Sequence, residues 1–141
     1  MATPSCRRCR GATYRVLIVD DHPRARDMLS TTISFDDERL DVYSICEAAS
    51  GEEAAQRARV YKPHVVPMDI KMPGIDGFEA AKRIKEERPS TVVVMVTAVP
   101  EPGQREEASK IDAAGFLSKF RVATDLVSLL SEVLSQPSAG G

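Results

Sequence analysis

Short apolar runs alternate along the chain with longer segments in which apolar residues recur at helical spacing. The runs at 16–19 and 92–96 are apolar without interruption, as in strands that are buried on both faces of a sheet. The longer segments carry apolar residues every three or four positions, which predicts helices with one buried face. The predicted strands are 16–19, 40–46, 65–68, 92–96 and 115–118, and the predicted helices are 24–35, 50–61, 77–87, 104–113 and 125–135.

Strands and helices thus alternate five times, which predicts an α/β fold: a doubly wound parallel sheet with helices on both faces. The strand at 40–46 is mixed in polarity, so we expect it at an edge of the sheet. The folded domain is predicted to span residues 14–136. Residues 1–13, which carry three arginines and no acid, are predicted to be a flexible basic tail, and residues 137–141 are predicted to be a C-terminal tail.

The composition narrows the class of protein. A length of 141 residues fits one domain, and 43% hydrophobic with 28% charged residues is typical of a globular chain. A net charge of -2 and an aromatic content of 5% without tryptophan argue against direct nucleic-acid binding. The apolar runs are far shorter than the roughly 20 residues of a membrane span. Three cysteines are too few for a disulfide framework, so we expect a cytoplasmic protein without membrane attachment.

Polar residues suited to phosphate chemistry stand at the ends of the predicted strands. Asp20 and Asp21 follow the first strand, Asp69 the third, Thr97 the fourth and Lys119 the fifth. Because ligands of a doubly wound sheet bind at the carboxyl ends of its strands, we expect these five side chains to converge. Three clustered carboxylates repel one another, and Mg²⁺, a hard cation that also accepts substrate phosphate, relieves that repulsion. The set is suited to phosphoryl transfer, with one acid as a candidate nucleophile that would form an aspartyl phosphate.

Other reactive side chains have plainer explanations. His22 stands before Pro23, so we expect it at the start of the first helix rather than in catalysis. Cys6 and Cys9 have the spacing of a redox or zinc pair, but zinc normally takes four ligands and no second pair closes the site. Cys46 is expected to be a buried strand residue.

Taken together, these residues resemble the receiver domain of two-component response regulators, here as a stand-alone domain. The matching segments, in order, are VLIVDDHP at 16–23, MDIKMPGIDG at 68–77, VTA at 96–98 and AGFLSK at 114–119. Each segment alone is a weak signal, whereas their order and spacing together are specific. The resemblance implies a flavodoxin-like (βα)5 fold with the strand order 2-1-3-4-5.

The resemblance also assigns the phosphate and metal site. It implies that Asp69 is the phosphoacceptor. It implies that Mg²⁺ is the cofactor and is held by Asp20, Asp21, Asp69 and the backbone carbonyl of Lys71. No enzymatic activity is implied beyond self-catalysed phosphotransfer and autodephosphorylation.

A conformational switch is implied as well. Thr97 and Lys119 would grip the phosphoryl oxygens, and Phe116 would swing inward when Thr97 is drawn to the phosphoryl group. The surface formed by the fourth helix, fifth strand and fifth helix would then bind a downstream protein or a second copy of the chain. The implied phosphate donor is a histidine kinase or a histidine phosphotransfer protein.

Several positions depart from the family pattern. Pro67 lies inside a central strand and has no amide donor, so one ladder hydrogen bond is lost or the strand bulges. Phe120 stands where the family usually has proline, often after a cis bond. Either the bond before Phe120 is trans and the preceding lysine is aimed differently, or the loop stores strain. Pro100 and Pro102 stiffen the link between the fourth strand and the fourth helix.

Three alternatives stay open. The first is a pseudo-receiver, an interaction scaffold that is not controlled by phosphate, which the departures at Pro67 and Phe120 favour. The second is a Mg²⁺-dependent phosphohydrolase, although Asp20 and Asp21 are adjacent where such enzymes usually carry Asp-x-Asp and a cap domain. The third is the excised receiver of a DNA-binding transcriptional regulator, because the segment 20–23 resembles receivers that precede a helix-turn-helix.

Overall fold

Five strands and five helices alternate in the computed structural model, which describes residues 14–34 and 42–135. The strands are β1 (Tyr14–Val19), β2 (Val42–Ala48), β3 (Val65–Asp69), β4 (Val92–Thr97) and β5 (Gly115–Ser118). The helices are α1 (Pro23–Ser34), α2 (Gly51–Tyr61), α3 (Gly77–Glu87), α4 (Gln104–Lys110) and α5 (Val122–Ser135). The tails predicted at 1–13 and 137–141 lie outside the described residues and stay predictions.

The strands form one parallel sheet in the order β2-β1-β3-β4-β5. The doubly wound fold and the edge position of the second strand are therefore confirmed. Side chains along each strand alternate between two apolar layers, which explains why the central strands are apolar without interruption. In β1, Leu17 and Val19 pack into the layer with α2 and α3, whereas Val16 and Ile18 pack into the layer with α1 and α5. All four of these side chains are fully buried.

The fourth helix is shorter than predicted. It ends at Lys110, because Asp112 adopts the left-handed backbone conformation with a φ of 60°. The Ala113 amide then donates to the Ala108 carbonyl at 3.0 Å, which closes the end of the helix. The residues after α4 therefore turn toward β5 instead of continuing the helix.

The fifth helix begins three residues earlier than predicted. Val122 is fully buried against the layer shared with α1, so packing starts the helix there. Asp125 consequently lies in the first turn, where a carboxylate interacts favourably with the helix dipole. At 14 residues α5 is the longest helix, and none of the helices within 14–34 and 42–135 is long and apolar enough to cross a membrane.

Pro67 interrupts one ladder of the sheet without forming a bulge. The register between β3 and β4 is continuous through Pro67. On the β1 side, the paired residues flank the proline: Val16 pairs with Val65, and Val19 pairs with Met68. The pairs are three residues apart on both strands, so the register is preserved. Of the two consequences expected from this proline, the interrupted ladder is correct, and the end of β3 stays in place.

Cys46 is half-buried, so the expectation of a buried cysteine was wrong. The reason is its place on β2, which lies at the edge of the sheet and is covered less completely than the central strands. Its Sγ lies 3.8 Å from Arg57 Nη1. Cys6 and Cys9 lie outside the described residues.

Candidate functional site

The carboxyl ends of four strands bring predicted site residues to one edge of the sheet. Asp20 directly follows β1, Asp69 is the last residue of β3, Thr97 is the last residue of β4, and Lys119 directly follows β5. Asp20, Asp69 and Thr97 are buried, and Lys119 exposes 18% of its side chain. The topology therefore brings two buried carboxylates, a hydroxyl and an ammonium group to the same edge.

Hydrogen bonds from β2, from α1 and from the residue before α1 fix Asp20. Its amide donates to the Ala48 carbonyl at 3.1 Å, and its carbonyl accepts from Arg26 Nη1 at 2.7 Å. Arg26 also pairs with Glu47 Oε1 on β2 through its Nε at 2.9 Å. The His22 amide donates to Asp20 Oδ1 at 2.9 Å, directly before α1 begins at Pro23. The role of Arg26 was missed from the sequence, where its place in the first turn of α1 is the only signal.

Lys119 lies between the two buried carboxylates. Its Nζ is 2.6 Å from Asp20 Oδ2 and 3.6 Å from Asp69 Oδ1. The contact with Asp20 is a short ion pair with a fully buried carboxylate. The bond between Lys119 and Phe120 is trans, since residues 14–34 and 42–135 contain no cis peptide bond. The trans alternative is therefore correct, and Lys119 nevertheless points into the carboxylate cluster.

Four side chains at this edge form a group of possible metal ligands. One ligand atom each from Asp20, Asp21, His22 and Asp69 lie within 4.8 Å of one another. Two carboxylate oxygens in the group, Asp20 Oδ2 and Asp21 Oδ1, are buried without a hydrogen bond. A divalent cation satisfies such oxygens, and hard oxygen donors are the ligands that Mg²⁺ prefers. The residues present therefore fit Mg²⁺.

His22 precedes α1 as predicted, but its ring also faces the acids. Nδ1 lies 3.1 Å from Asp21 Oδ1 and 3.3 Å from Asp20 Oδ1. The side chain is 70% exposed, so the rest of the ring faces solvent. The sequence shows that His22 adjoins the acidic pair, but it does not show that the ring turns toward it.

Asp69 has an unusual ionisation equilibrium. Burial, and after it the neighbouring Asp20 carboxylate, raise the pKa of Asp69 from 3.8 to about 6, against the opposing charge of Lys119. The carboxylate, which is the nucleophilic form of the side chain, therefore predominates only above about pH 6.

Gly77 begins α3 directly against the backbone of Asp69. Its amide donates to the Ile70 carbonyl at 2.8 Å, and a Cβ at this position would lie 2.1 Å from the Asp69 carbonyl oxygen. Asp76 caps the helix by accepting a hydrogen bond from the Glu79 amide at 2.9 Å. The lack of a Cβ at Gly77 therefore allows α3 to pack against the end of β3 that carries the candidate nucleophile.

Thr97, at the end of β4, and Phe116, on the neighbouring strand β5, both contact the α4 region. The Thr97 hydroxyl donates to the Val99 carbonyl at 3.3 Å, in the loop that precedes α4. Phe116 pairs with β4 in the sheet and packs partly buried against the layer of α2 and α3. The Arg105 guanidinium on α4 lies 5.0 Å from the centre of the Phe116 ring, within the range of a cation–π interaction.

The loops after β3 and β4 are joined by an ion pair. Lys71 Nζ contacts Glu101 Oε2. The Glu101 amide donates to Gln104 Oε1 at 2.9 Å, at the start of α4. The loop that carries Lys71, whose carbonyl is the predicted metal ligand, is thereby connected to the fourth helix.

Comparison with known proteins gives one family. The sequence profile of the response regulator receiver domain matches residues 16–131. The response regulator GacA of Pseudomonas protegens is 37% identical over 121 residues, which cover 86% of this chain and 55% of GacA. The response regulator protein VraR of Staphylococcus aureus is 33% identical over 114 residues, which cover 81% of this chain and 53% of VraR. This chain spans about half the length of the curated relatives it matches.

Solved structures agree with this assignment. The response regulator domain of Thermotoga maritima CheB is 30% identical with a TM-score of 0.73, and the alignment covers 89% of this chain and 100% of that one. The chemotaxis protein CheY4 of Vibrio cholerae is 30% identical with a TM-score of 0.75, and the alignment covers 86% of this chain and 99% of that one. The sequence profile, the relatives and the strand order lead to one conclusion: this chain belongs to the response regulator receiver domain family.

Proposed function

We propose that this chain accepts a phosphoryl group on Asp69 from a phosphohistidine donor and thereby switches the surface formed by α4, β5 and α5. The observation that carries the proposal is the setting of Asp69. Its carboxylate is buried at the end of β3, with Lys119 Nζ 3.6 Å away and the acids Asp20 and Asp21 beside it. A carboxylate among like charges and one ammonium is suited to receive a phosphoryl group whose oxygens need neutralisation.

Asp69 acts as the nucleophile. One of its carboxylate oxygens attacks the phosphorus of the donor, so that a P–O bond forms. The P–N bond to the donor imidazole breaks, and its electron pair stays with the imidazole. With a pKa of about 6, Asp69 is largely ionised at pH 7.5 and is available for this attack. Lys119 would neutralise a phosphoryl oxygen, because its Nζ already reaches Asp69 Oδ1.

Receiver domains bind Mg²⁺ at an acidic pocket, and this chain has such an acidic cluster. Asp20, Asp21, Asp69 and the carbonyl of Lys71 would hold the ion here. When bound, it supplies charge neutralisation for the phosphoryl oxygens. Asp20 is fully buried and fixed through its backbone to β2 and α1, so this ligand is in position before the ion arrives.

The switch begins at Thr97. Its hydroxyl, now hydrogen-bonded to the Val99 carbonyl, would turn to a phosphoryl oxygen on Asp69. The loop before α4 would lose that hydrogen bond, and Phe116 would turn inward from its position beneath Arg105. The added charge of the phosphoryl group would thereby favour one of two arrangements of Phe116 and the loop before α4.

The proposed donor is a histidine kinase or a histidine phosphotransfer protein in the cytoplasm. The proposed target is a downstream protein or a second copy of the chain, bound through α4, β5 and α5, with no direct contact to nucleic acid or membrane. Relatives named a transcriptional activator and a protein-glutamate methylesterase match the same region. The response would therefore depend on what the switched surface binds, and the chain's own chemistry would end at self-catalysed phosphotransfer and autodephosphorylation.

Intact-mass measurement after incubation with acetyl phosphate tests the proposal. We expect a gain of one phosphoryl group that depends on Mg²⁺. Asp69→Asn should gain none. Asp27→Asn, which removes an exposed carboxylate on α1, is the matched control and should be labelled like the wild type. Labelling of Asp69→Asn to the wild-type extent would refute the assignment of the phosphoacceptor.

A scaffold that is not controlled by phosphate is the second candidate. It is favoured by Phe120, whose side chain is 88% exposed directly after Lys119 and offers an apolar contact for a partner. The same mass measurement separates the two functions. A folded wild-type protein that binds Mg²⁺ and gains no phosphoryl group would favour the scaffold.

A further inference from the structure

His22 brings an imidazole nitrogen into the carboxylate cluster. Its Nδ1 is 3.1 Å from Asp21 Oδ1 and 3.3 Å from Asp20 Oδ1. In an octahedral site with bonds of about 2.1 Å, neighbouring ligand atoms are about 3.0 Å apart. The distances from the imidazole nitrogen to the two oxygens are therefore close to those between neighbouring ligands of a single ion.

Oxygens of both Asp20 and Asp21 adjoin this nitrogen. Asp20 is fully buried: its Oδ1 lies 3.3 Å from His22 Nδ1, and its Oδ2 forms an ion pair with Lys119 at 2.6 Å. Asp21 Oδ1 is buried and lies 3.1 Å from the same nitrogen. Carboxylate oxygens from two acids that adjoin one imidazole nitrogen form a set of donors that a divalent ion would complete.

The imidazole of His22 is not needed to start α1. The start of α1 uses the His22 main chain: its amide donates to Asp20 Oδ1 at 2.9 Å, and its carbonyl accepts from the Arg26 amide at 3.1 Å. The second of the two histidines in the chain is used differently. His64 Nδ1 accepts a hydrogen bond from the Arg15 amide at 2.9 Å, and its ring packs edge-on against Tyr14 at 5.7 Å. His64 therefore has a structural role. The contacts described for the ring of His22, in contrast, are with Asp20 and Asp21.

We propose that His22 is a protein ligand of the metal site and shifts its preference from Mg²⁺ toward first-row transition metals such as Zn²⁺. Imidazole is a good ligand for these metals, whereas Mg²⁺ favours carboxylate, carbonyl and water oxygens. The inference rests on the proposed function, because it concerns the same metal site.

Zinc titration of the full chain tests the inference. Cys6→Ser and Cys9→Ser are introduced first, so that the thiols outside the described residues do not compete for Zn²⁺. NMR spectra of the ring nitrogens then separate the two histidines. We expect Zn²⁺ to shift the ring nitrogens of His22 and to leave those of His64 in place.

His22→Asn on the same background measures the contribution of the imidazole. Asparagine is a favourable residue at a helix start, so α1 should still form. We expect the ratio of Zn²⁺ affinity to Mg²⁺ affinity, measured by chelator competition, to fall at least about tenfold. Even partners that only orient a ligand are worth about that much in metal affinity.

Two results would overturn the inference: an unshifted His22 ring at saturating Zn²⁺, or an unchanged affinity ratio in His22→Asn. Labelling of the parent chain with acetyl phosphate and Mg²⁺ is measured alongside. If Asp69 is labelled while His22 is unshifted, this inference fails alone. If His22 shifts and its variant loses zinc preference while Asp69 is never labelled, the proposed function fails and the metal ligand stands.

Discussion

The carboxylate edge and the fourth helix of this domain are built in opposite ways. Asp20 and Asp69 follow or end β1 and β3, central strands whose side chains are buried on both faces of the sheet. The fourth helix has seven residues, of which only Gln104 and Ala108 are buried. Its N-cap residue is Gly103, which has no side chain to cap the helix. The carboxylates of Asp20 and Asp69, whose geometry must be kept, thus lie at the ends of well-packed strands. The element proposed to move, α4, is weakly anchored.

Phosphoryl transfer would thus take place at the rigid carboxylate edge, and the conformational response would take place at α4. Small alanine and glutamine contacts hold α4, so shifting it exposes little apolar surface and costs little free energy. A phosphoryl group has only to favour the shifted arrangement by a few kcal/mol to move most of the population.

Removing the ammonium from the carboxylate edge should slow phosphorylation most. In Lys119→Met we expect the rate of labelling by acetyl phosphate to fall by about 10²–10³, the usual loss when a charge-stabilising group is removed. Lys110→Met, which removes an exposed lysine from α4, is the matched control and should keep the wild-type rate. If the Lys119→Met rate were within about threefold of the wild-type rate, the ammonium group would not stabilise the transition state.

Truncating one side chain in each region compares their packing directly. Leu17→Ala removes a fully buried side chain of β1 and should lower the free energy of unfolding by about 3 kcal/mol. Ile111→Ala removes a partly buried side chain just after α4 and should cost about 1 kcal/mol. Urea unfolding followed by circular dichroism measures both, since the chain has no tryptophan. Equal losses would contradict the contrast in anchoring.

Neutralising Asp69 should stabilise the metal-free protein at neutral pH. Its folded pKa of about 6 lies above its ordinary value of 3.8, so folding favours the protonated form. The wild type therefore loses stability as the pH rises from about 4 to 6, and the loss is complete above that range. Asp69→Asn should be more stable by about 2 kcal/mol at pH 7.5 and nearly equal at pH 3.5, both measured with a chelator present. If the difference in stability between Asp69→Asn and the wild type were the same at both pH values, the raised pKa of Asp69 would not be its cause.

The contact between Arg105 and Phe116 should have the smallest effect. Arg105→Ala removes a cation–π interaction worth about 0.5–1 kcal/mol, which holds Phe116 beneath α4. We expect beryllofluoride, a mimic of the aspartyl phosphate, to bind the variant about two- to fivefold more tightly. Lys110→Ala on the same helix is the control. Weaker binding by Arg105→Ala would show that the contact stabilises the switched arrangement instead.

The fold could be predicted from the sequence because the apolar pattern is consistent at every strand. Uninterrupted runs marked the strands that are buried on both faces, and the mixed run marked the edge strand. The carboxylate edge followed from the same pattern, since parallel strands turn positions such as Asp20 and Asp69 into neighbours. The resemblance to receiver domains then supplied the roles proposed for these residues.

The directions of side chains and the details of tertiary packing could not be predicted from the apolar pattern. The Thr97 hydroxyl is bonded to the Val99 carbonyl, and the His22 ring faces the acids, because of rotamers that the spacing of residues does not specify. The early start of α5 depends on burial of Val122 against a distant helix. The effect of Pro67 depends on the register between β1 and β3, which no local signal reports.

Amide chemical shifts on addition of beryllofluoride and Mg²⁺ test the central claim most directly, which is that a change at Asp69 reaches α4 and β5. We expect shifts throughout residues 97–120, from the end of β4 through α4 to Phe116. Shifts confined to the neighbourhood of Asp20, Asp21 and Asp69, with Phe116 and α4 unmoved, would contradict it.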